Sequence, residues 1–422
     1  MRAPGVRRGP QASGTSGPQP GVSYSACSVW VVRILHTSDW HLGRSFHGTS
    51  LLGEQALAID RIVALVTEHS VELVVIAGDL YDRAIAPAEA IALFDHALGQ
   101  LRQAGAQVVA ISGNHDSSVR VGVYDQVMSS LGVTVRGDIA RSNEPVMVSS
   151  ADGGPDTAVY LLPYLEPSLA GPLLAPPSDD PVGRLRHDEV TRLATDRIRA
   201  DLATRGEARS VIVAHTFVTG STTSESERDL TVGNVETVDR AAFDGVDYVA
   251  LGHIHRSQDC GEARIAYSGT PLPYSFSEQD HVKSVRIVDL AIDGTVSVNI
   301  VALDVGLGLC TIKGDLDDLL TSEKYAHAID KRVRVHLTDR RLPMQAMPQL
   351  RKRFPHVAEL QHLPDIGDAV AIANGQGPVN PKASPLQLTT QFWADQHGHD
   401  ADDAEAGLLN QALQLAIGGD AE

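Results

Sequence analysis

Cationic side chains are in short supply in this chain: 35 Lys and Arg stand against 53 Asp and Glu, a formal net charge of -18 at pH 7. That balance excludes a protein that coats nucleic acid by bulk attraction, because phosphate repulsion has to be overcome locally. An enzyme whose cations line one cleft stays open. Cysteine is scarcer still. Cys27, Cys260 and Cys310 are odd in number and far apart, which fits neither a disulfide framework nor a zinc knuckle and points to a reducing, cytoplasmic setting. No apolar run approaches the roughly 20 residues needed to cross a bilayer, so no membrane partner is expected. There is no internal repeat, and no Lys or Arg follows Lys382.

What is present is ample apolar material. At 422 residues, 43% of them hydrophobic and with a mean hydropathy of -0.08, the composition is that of a soluble globular protein. The usual prior of about 150 residues per domain gives two or three domains. Residues 1–31, rich in Gly, Pro, Ser and Arg without periodicity, read as a disordered extension, or as sequence ahead of a true start near Val32. From 32 to 303 strands and helices alternate. Helices are expected over Gln55 to His69, with Ile59, Ile62, Val63 and Val66 on one face, and from Pro87 to about Gln103. This βαβα rhythm predicts an α/β fold with a largely parallel sheet and right-handed crossovers. Residues 141–182 are Pro- and Gly-rich with one strand, Ala158 to Leu162. A helix from Glu189 to Leu202 carries Arg192, Arg197 and Arg199, either as a solvated face or as an edge that contacts phosphate. Residues 304–395 read as a small α+β domain, with a strand over Lys331 to Leu337 and helices over Asp315 to Leu320 and Gln345 to Arg353. Residues 396–422 are an acidic tail. Its helix candidate, Ala404 to Ile417, spaces Leu409, Leu413 and Ile417 to dock on a partner or on its own domain.

The chemistry gathers where apolar strands end. Val71 to Ala77 reads as a central strand that stops at Gly78-Asp79, and open α/β sheets bind ligands at the carboxyl ends of their strands. Four more apolar runs finish in donor residues: Ile34 to His41 with Asp39 and His41, Val108 to Asp116 with Asn114 and His115, Val211 to His215, and Tyr248 to His255 with His253 and His255. In an extended chain residues two apart point the same way, so Asp39 with His41, and His253 with His255, each offer two donors to one side. Either pair alone is common decoration. The whole set, on strands converging on one sheet edge, is not.

Mixed carboxylate, amide and imidazole donors without thiolate suit manganese, iron or zinc. Two dications about 3.7 Å apart repel by roughly 18 kcal/mol at an effective dielectric of 20, so they need a shared anion. Asp79 is placed to bridge. Asp39, His41 and His255 then serve one metal, and Asn114, His215 and His253 the other. Such a pair acidifies a shared water and clamps phosphoryl oxygens. His115, expected to point away from the metals, is the candidate catalytic residue that stabilises developing charge or protonates a leaving oxygen. Asp116 either orients His115 or caps a helix. Asp82 and Arg83 read as a local salt-bridged turn, and His36 and His47 as structural.

In this order the blocks Asp39-x-His41, Gly78-Asp79-x-x-Asp82, Gly113-Asn114-His115-Asp116, His215 and Gly252-His253-x-His255 resemble the calcineurin-type metallophosphoesterases. His36 to Gly43, Ser224 to Arg228, Tyr267 to Glu278 and Arg353-Phe354-Pro355 narrow the resemblance to the SbcD family, the nuclease subunits of bacterial SbcCD DNA repair exonucleases, over about residues 32–395. The resemblance implies a metallophosphoesterase-type layered sheet-and-helix core over 32–303 and a capping domain over 304–395. It implies two divalent metal ions, Mn2+ foremost, and exonuclease and endonuclease action on double-stranded DNA ends and hairpins in repair, recombination and replication. It also implies a homodimer that works with an SbcC-type coiled-coil ATPase. A small-substrate phosphodiesterase or phosphatase, or a scaffold that has lost its chemistry, are the competing readings.

Overall fold

The computed structural model describes residues 31–149, 154–175, 185–206, 208–227, 237–364, 384–397 and 399–418. The extension expected to be disordered (apart from Val31, which opens the first strand), nearly all of the Gly- and Pro-rich stretch at 366–385, and Arg228 lie outside the described residues.

In place of one largely parallel sheet, the core strands build two six-stranded sheets laid face to face. In the first, Val31–Thr37, Leu73–Ile76, Gln107–Ile111 and Val133–Arg136 run parallel in that order, and Ser284–Ala291 and Val296–Ala302 extend it antiparallel. In the second, Thr157–Leu162, Arg209–His215, Tyr248–Gly252 and Ile265–Tyr267 run parallel, with Val146–Val148 and Gln258–Asp259 antiparallel at the edges.

Side chains alternate across each strand, and in the inner strands both faces are buried. Ile34, Leu73, Val75, Val109 and Ile111 meet Val159, Leu161, Val211, Val213 and Ala250 in the layer between the sheets. Their neighbours Leu35, Val74, Ile76, Val108 and Ala110 face outward, onto the helices Leu52–Glu68 and Ala88–Gln103. Pro167–Leu174 and His187–Leu202 cover the second sheet in the same way. The result is a layered α/β core of helix, sheet, sheet and helix. His36 ties the sheets together: its Nδ1 lies 2.9 Å from the Tyr248 hydroxyl and its Nε2 3.1 Å from the Leu251 carbonyl. Burial lowers its pKa to about 3, so it is a neutral structural crosslink.

Pro167–Leu174 falls in the stretch expected to hold one strand only; Pro167 sits in its first turn, where the missing N–H costs nothing. On His187–Leu202, Arg192 and Arg199 pair with Asp188 (2.8 Å) and Asp196 (2.7 Å) of their own helix, and Arg197 donates to the Leu173 carbonyl. All three are half-buried, and Arg199 also donates to the Ala242 (3.1 Å) and Asp244 (3.3 Å) carbonyls.

Leu309–Gly314, Arg332–Leu337 and Val357–His362 make a separate three-stranded parallel sheet. With the helices Leu316–Thr321 and Ala346–Arg353 it encloses its own apolar cluster, including Leu319, Val333, Val335, Leu350 and Phe354. It docks on the core through Leu309, which joins Phe46, Leu51, Leu272 and Phe276, and through Arg332, which pairs with Glu54. Burial pushes the Glu54 carboxyl up, but hydrogen bonds from Arg332 and the Leu307 N–H outweigh it and hold Glu54 below the usual range. Arg334 lies 4.5 Å over the Phe276 ring, and His47 is 3.6 Å from Glu359, so His47 faces the docking seam. The tail carries the helix Asp403–Gly418, which packs against Pro385–His397.

Among the described residues Cys260 and Cys310 are free thiols, and no helix is long and apolar enough to cross a membrane. Removing Glu54 strands a guanidinium that is 7% exposed. Glu54→Ala is therefore expected to destabilise the docked arrangement by about 3 kcal/mol, measured as lost hydrogen-exchange protection along Leu309–Gly314. Unchanged protection would assign the docking energy to the Leu309 contacts instead.

Candidate metal centre

The loops after the strands are held in unusual backbone conformations. Asp39 (φ 53°), His41 (φ 46°), Asp79 (φ 46°) and His253 (φ 103°) are all at positive φ, which for a residue with a Cβ costs about 1 kcal/mol or more each. Their shared direction therefore comes from tight turns, not from the extended alternation expected at Asp39-x-His41 and His253-x-His255. Hydrogen bonds between two loops hold the turns: Asp39 N–H donates to the Gly78 carbonyl (3.0 Å), His41 N–H to Asp79 (2.9 Å) and Leu42 N–H to Leu80 (3.0 Å). Glycine precedes Asp79, Asn114 and His253 because the loops cross in contact. A methyl group on Gly113 would overlap the Asp79 carboxylate, and one on Gly252 the Ala77 carbonyl.

All seven expected donors come together, drawn from both sheets and not from one edge. Asp79 Oδ2 lies 3.5 Å from His41 Nε2 and 3.5 Å from His215 Nε2. To one side, single donor atoms of Asp39, His41 and His255 all fall within 4.8 Å of one another, with His41 Nε2 3.2 Å from His255 Nε2. To the other, Asp39, Asp79 and His215 satisfy the same limit. Asn114 Oδ1 completes that side, 2.9 Å from His215 Nε2 and 3.2 Å from His253 Nδ1.

The electrostatics suit cations. Burial depresses the pKa of His41, His215 and His253, the last to about 3, so these imidazoles are neutral and offer lone pairs. Burial, reinforced by the Asp79 charge, raises Asp39 above the usual carboxylate range. His41 Nδ1 is buried without a hydrogen-bond partner. Carboxylates and neutral imidazoles crowded in this way lack compensating positive charge, and the thiolate-free donor set fits two divalent ions.

Three neighbours differ from expectation. His115 does not point away: its Nε2 is 4.0 Å from Asp79 Oδ2, its ring stands edge-on to His41 at 4.6 Å, and its Nδ1–H donates to the Asp82 carbonyl at 2.9 Å. Asp82 is more than a local turn, since its carboxylate lies 3.4 Å from Arg44 and 3.8 Å from His41 Nδ1. Asp116 neither orients His115 nor caps a helix. It accepts hydrogen bonds from the N–H groups of Leu80 (3.0 Å), Tyr81 (2.9 Å) and Gly113 (2.9 Å), stitching the Asn114 loop to the Asp79 loop. Burial and the nearby Asp79 raise its pKa to about 7 despite those bonds. Asp116→Ala leaves three loop donors unpaired and is expected to cost about 2–4 kcal/mol of stability, read by denaturant unfolding. A loss under about 1 kcal/mol would mean water replaces the carboxylate.

The model of the calcineurin-like phosphoesterase family matches residues 32–257. That span covers most of both sheets and every donor described above. Similar solved structures include TT1561 of Thermus thermophilus, 13% identical over 64% of this chain and 99% of that one, with a TM-score of 0.36. A dimetal phosphatase from Danio rerio is 12% identical over 65% of this chain and 99% of its own, with a TM-score of 0.37. GAP50, the anchor in the inner membrane complex of Plasmodium, is 12% identical over 80% and 99%, again at 0.37. With its donors gathered at one place and the family's pattern spanning more than half its length, the chain belongs to the calcineurin-like phosphoesterases.

Proposed function

We propose that this chain is a two-metal phosphodiesterase that cuts DNA. Asp39, His41 and His255 would hold one cation and Asn114, His215 and His253 the other, with Asp79 placed between the two groups. The observation that carries the reading is Asp79 Oδ2, set 3.5 Å from an imidazole of each group. When bound, the dications, manganese foremost, supply the Lewis acidity that activates water and neutralises phosphoryl charge. The chain's own part is positioning and proton transfer. His115 commits Nδ1–H to the Asp82 carbonyl and keeps Nε2 beside Asp79 at the rim of the site, where it holds or gives a proton to the leaving oxygen.

The substrate is a double-stranded DNA end or hairpin, and the working assembly pairs two copies with an SbcC-type ATPase in the cytoplasm. Support comes from the segments that carry the narrower resemblance, because Ser226, Glu227 and Glu278 lie directly behind His255. For the second copy, residues 118–131 offer an apolar face: Val119, Val123, Tyr124 and Val127 are each more than 60% exposed. A small phosphate ester is the second reading, favoured by the net charge of -18, which opposes a polyanion.

His115→Ala is expected to lower the rate of hairpin cleavage by about 100-fold or more while manganese binding stays near wild type. Loss of both metals in that variant would reassign His115 as a ligand. Cleavage of hairpin and blunt duplex DNA with Mn2+, with and without ATP and the ATPase, is the test of substrate. Hydrolysis of cyclic nucleotides or bis(p-nitrophenyl) phosphate without any hairpin cutting would establish the second reading. Tyr124→Glu is expected to shift the sedimentation coefficient from a pair to a single copy; an unchanged pair would move the interface elsewhere.

A further inference from the structure

His255 is gripped at three points by residues distant from it in the chain. Its N–H donates to Glu227 Oε1 (2.7 Å), its carbonyl accepts from Lys283 Nζ (3.0 Å) and from the Thr270 N–H (3.2 Å), and its Nδ1 lies 2.5 Å from Ser226 Oγ. Behind Ser226 sits Glu278, 1% exposed, whose carboxylate accepts from the Ser226 hydroxyl, from the Tyr274 N–H (3.2 Å) and from Lys283. Lys283 reaches an acceptor with each of its three N–H bonds: the Glu278 carboxylate, the His255 carbonyl and Thr270 Oγ1 (2.7 Å).

The polarity of this chain of bonds has one solution. A carboxylate paired with an ammonium can only accept, so the single Ser226 hydrogen points to Glu278. Ser226 Oγ then has lone pairs alone to offer, one to the Ser224 hydroxyl at 2.9 Å and one to His255. His255 must therefore carry its proton on Nδ1. The reverse tautomer would set a nitrogen lone pair against an oxygen lone pair at 2.5 Å.

We propose that Ser226, Glu278 and Lys283 form a positioning relay that fixes His255 as the Nδ1–H tautomer and aims its Nε2 lone pair into the cluster with Asp39 and His41. The proposal deepens the two-cation reading and rests on it for the identity of what Nε2 faces. The relay itself is a property of the metal-free chain. Hydrogen-bonded partners of this kind set ring orientation and ligand basicity, and losing one weakens metal affinity by about 10–100-fold.

The test uses the full chain labelled with 15N-histidine and stripped of metal. Long-range 1H–15N correlations, with His255 assigned by its loss in His255→Gln, should show Nδ1–H in the wild type and a mixture of tautomers in Ser226→Ala and Glu278→Gln. Titration with Mn2+, followed by the electron paramagnetic resonance of the free ion, should show one of two binding steps weakened by about 10–100-fold in those variants. The other step should be unchanged, and Ser226→Thr, which keeps the hydroxyl, should restore both readouts. A wild-type His255 protonated on Nε2 overturns the relay, and so do variants that bind both ions as tightly as the wild type. Fewer than two bound ions in the wild type would count against the two-cation reading alone, since the tautomer measurement still decides the relay.

Discussion

Two carboxylates lie a few ångströms apart with almost no surface of their own exposed. Asp39 and Asp79 are 0% and 2% exposed, ringed by imidazoles that burial keeps neutral. A pair of buried anions without positive partners is strongly unfavourable. The fold nonetheless adds backbone strain to create the arrangement, holding Asp39, His41, Asp79 and His253 at positive φ and using glycine wherever the loops must cross in contact. Strain and desolvation concentrated at one spot make sense where cations complete the charge balance. Much of the surrounding architecture follows from that need: loops zipped together by backbone hydrogen bonds, Asp116 fastening two of them, and a network behind His255.

Much of this was legible in the sequence. Apolar runs such as Leu73 to Ile76 and Val211 to Ala214, each ending in a donor, were strands with donors at their carboxyl ends, and the donors do meet. The division into two sheets was not legible. A parallel strand covered on both faces has the same continuous apolar pattern whichever sheet it joins, so nothing in Val211 to Ala214 distinguishes a neighbour of Ile76 from a strand in a facing sheet. Pro172 inside Pro167–Leu174 hid a helix in what looked like a loop.

The roles of Asp82, Asp116, Ser226 and Glu278 were hidden for a related reason. Each depends on where a loop lands. Asp116 bonds the N–H groups of Leu80 and Tyr81, 36 and 35 positions away, and Ser226 meets Glu278 across 52. Strand periodicity reports which face a side chain takes; it carries no information on which distant turn lies opposite. His115 was placed beside its donor neighbours by adjacency to Asn114, but its orientation is set by the Asp82 carbonyl, which only the folded loops bring near.

Because His41 springs from one sheet and His215 from the other, the gap spanned by Asp79 is also a measure of how far apart the sheets rest. The spacer is the shared apolar layer in which Val75, Val109, Val213 and Ala250 meet. Bulk added to or taken from that layer, well away from any polar group, would be transmitted to the donors as a change in bite. The interior of the sandwich thus acts as a shim, and tolerance to aliphatic swaps there should be narrower than in the outer layers beneath the helices.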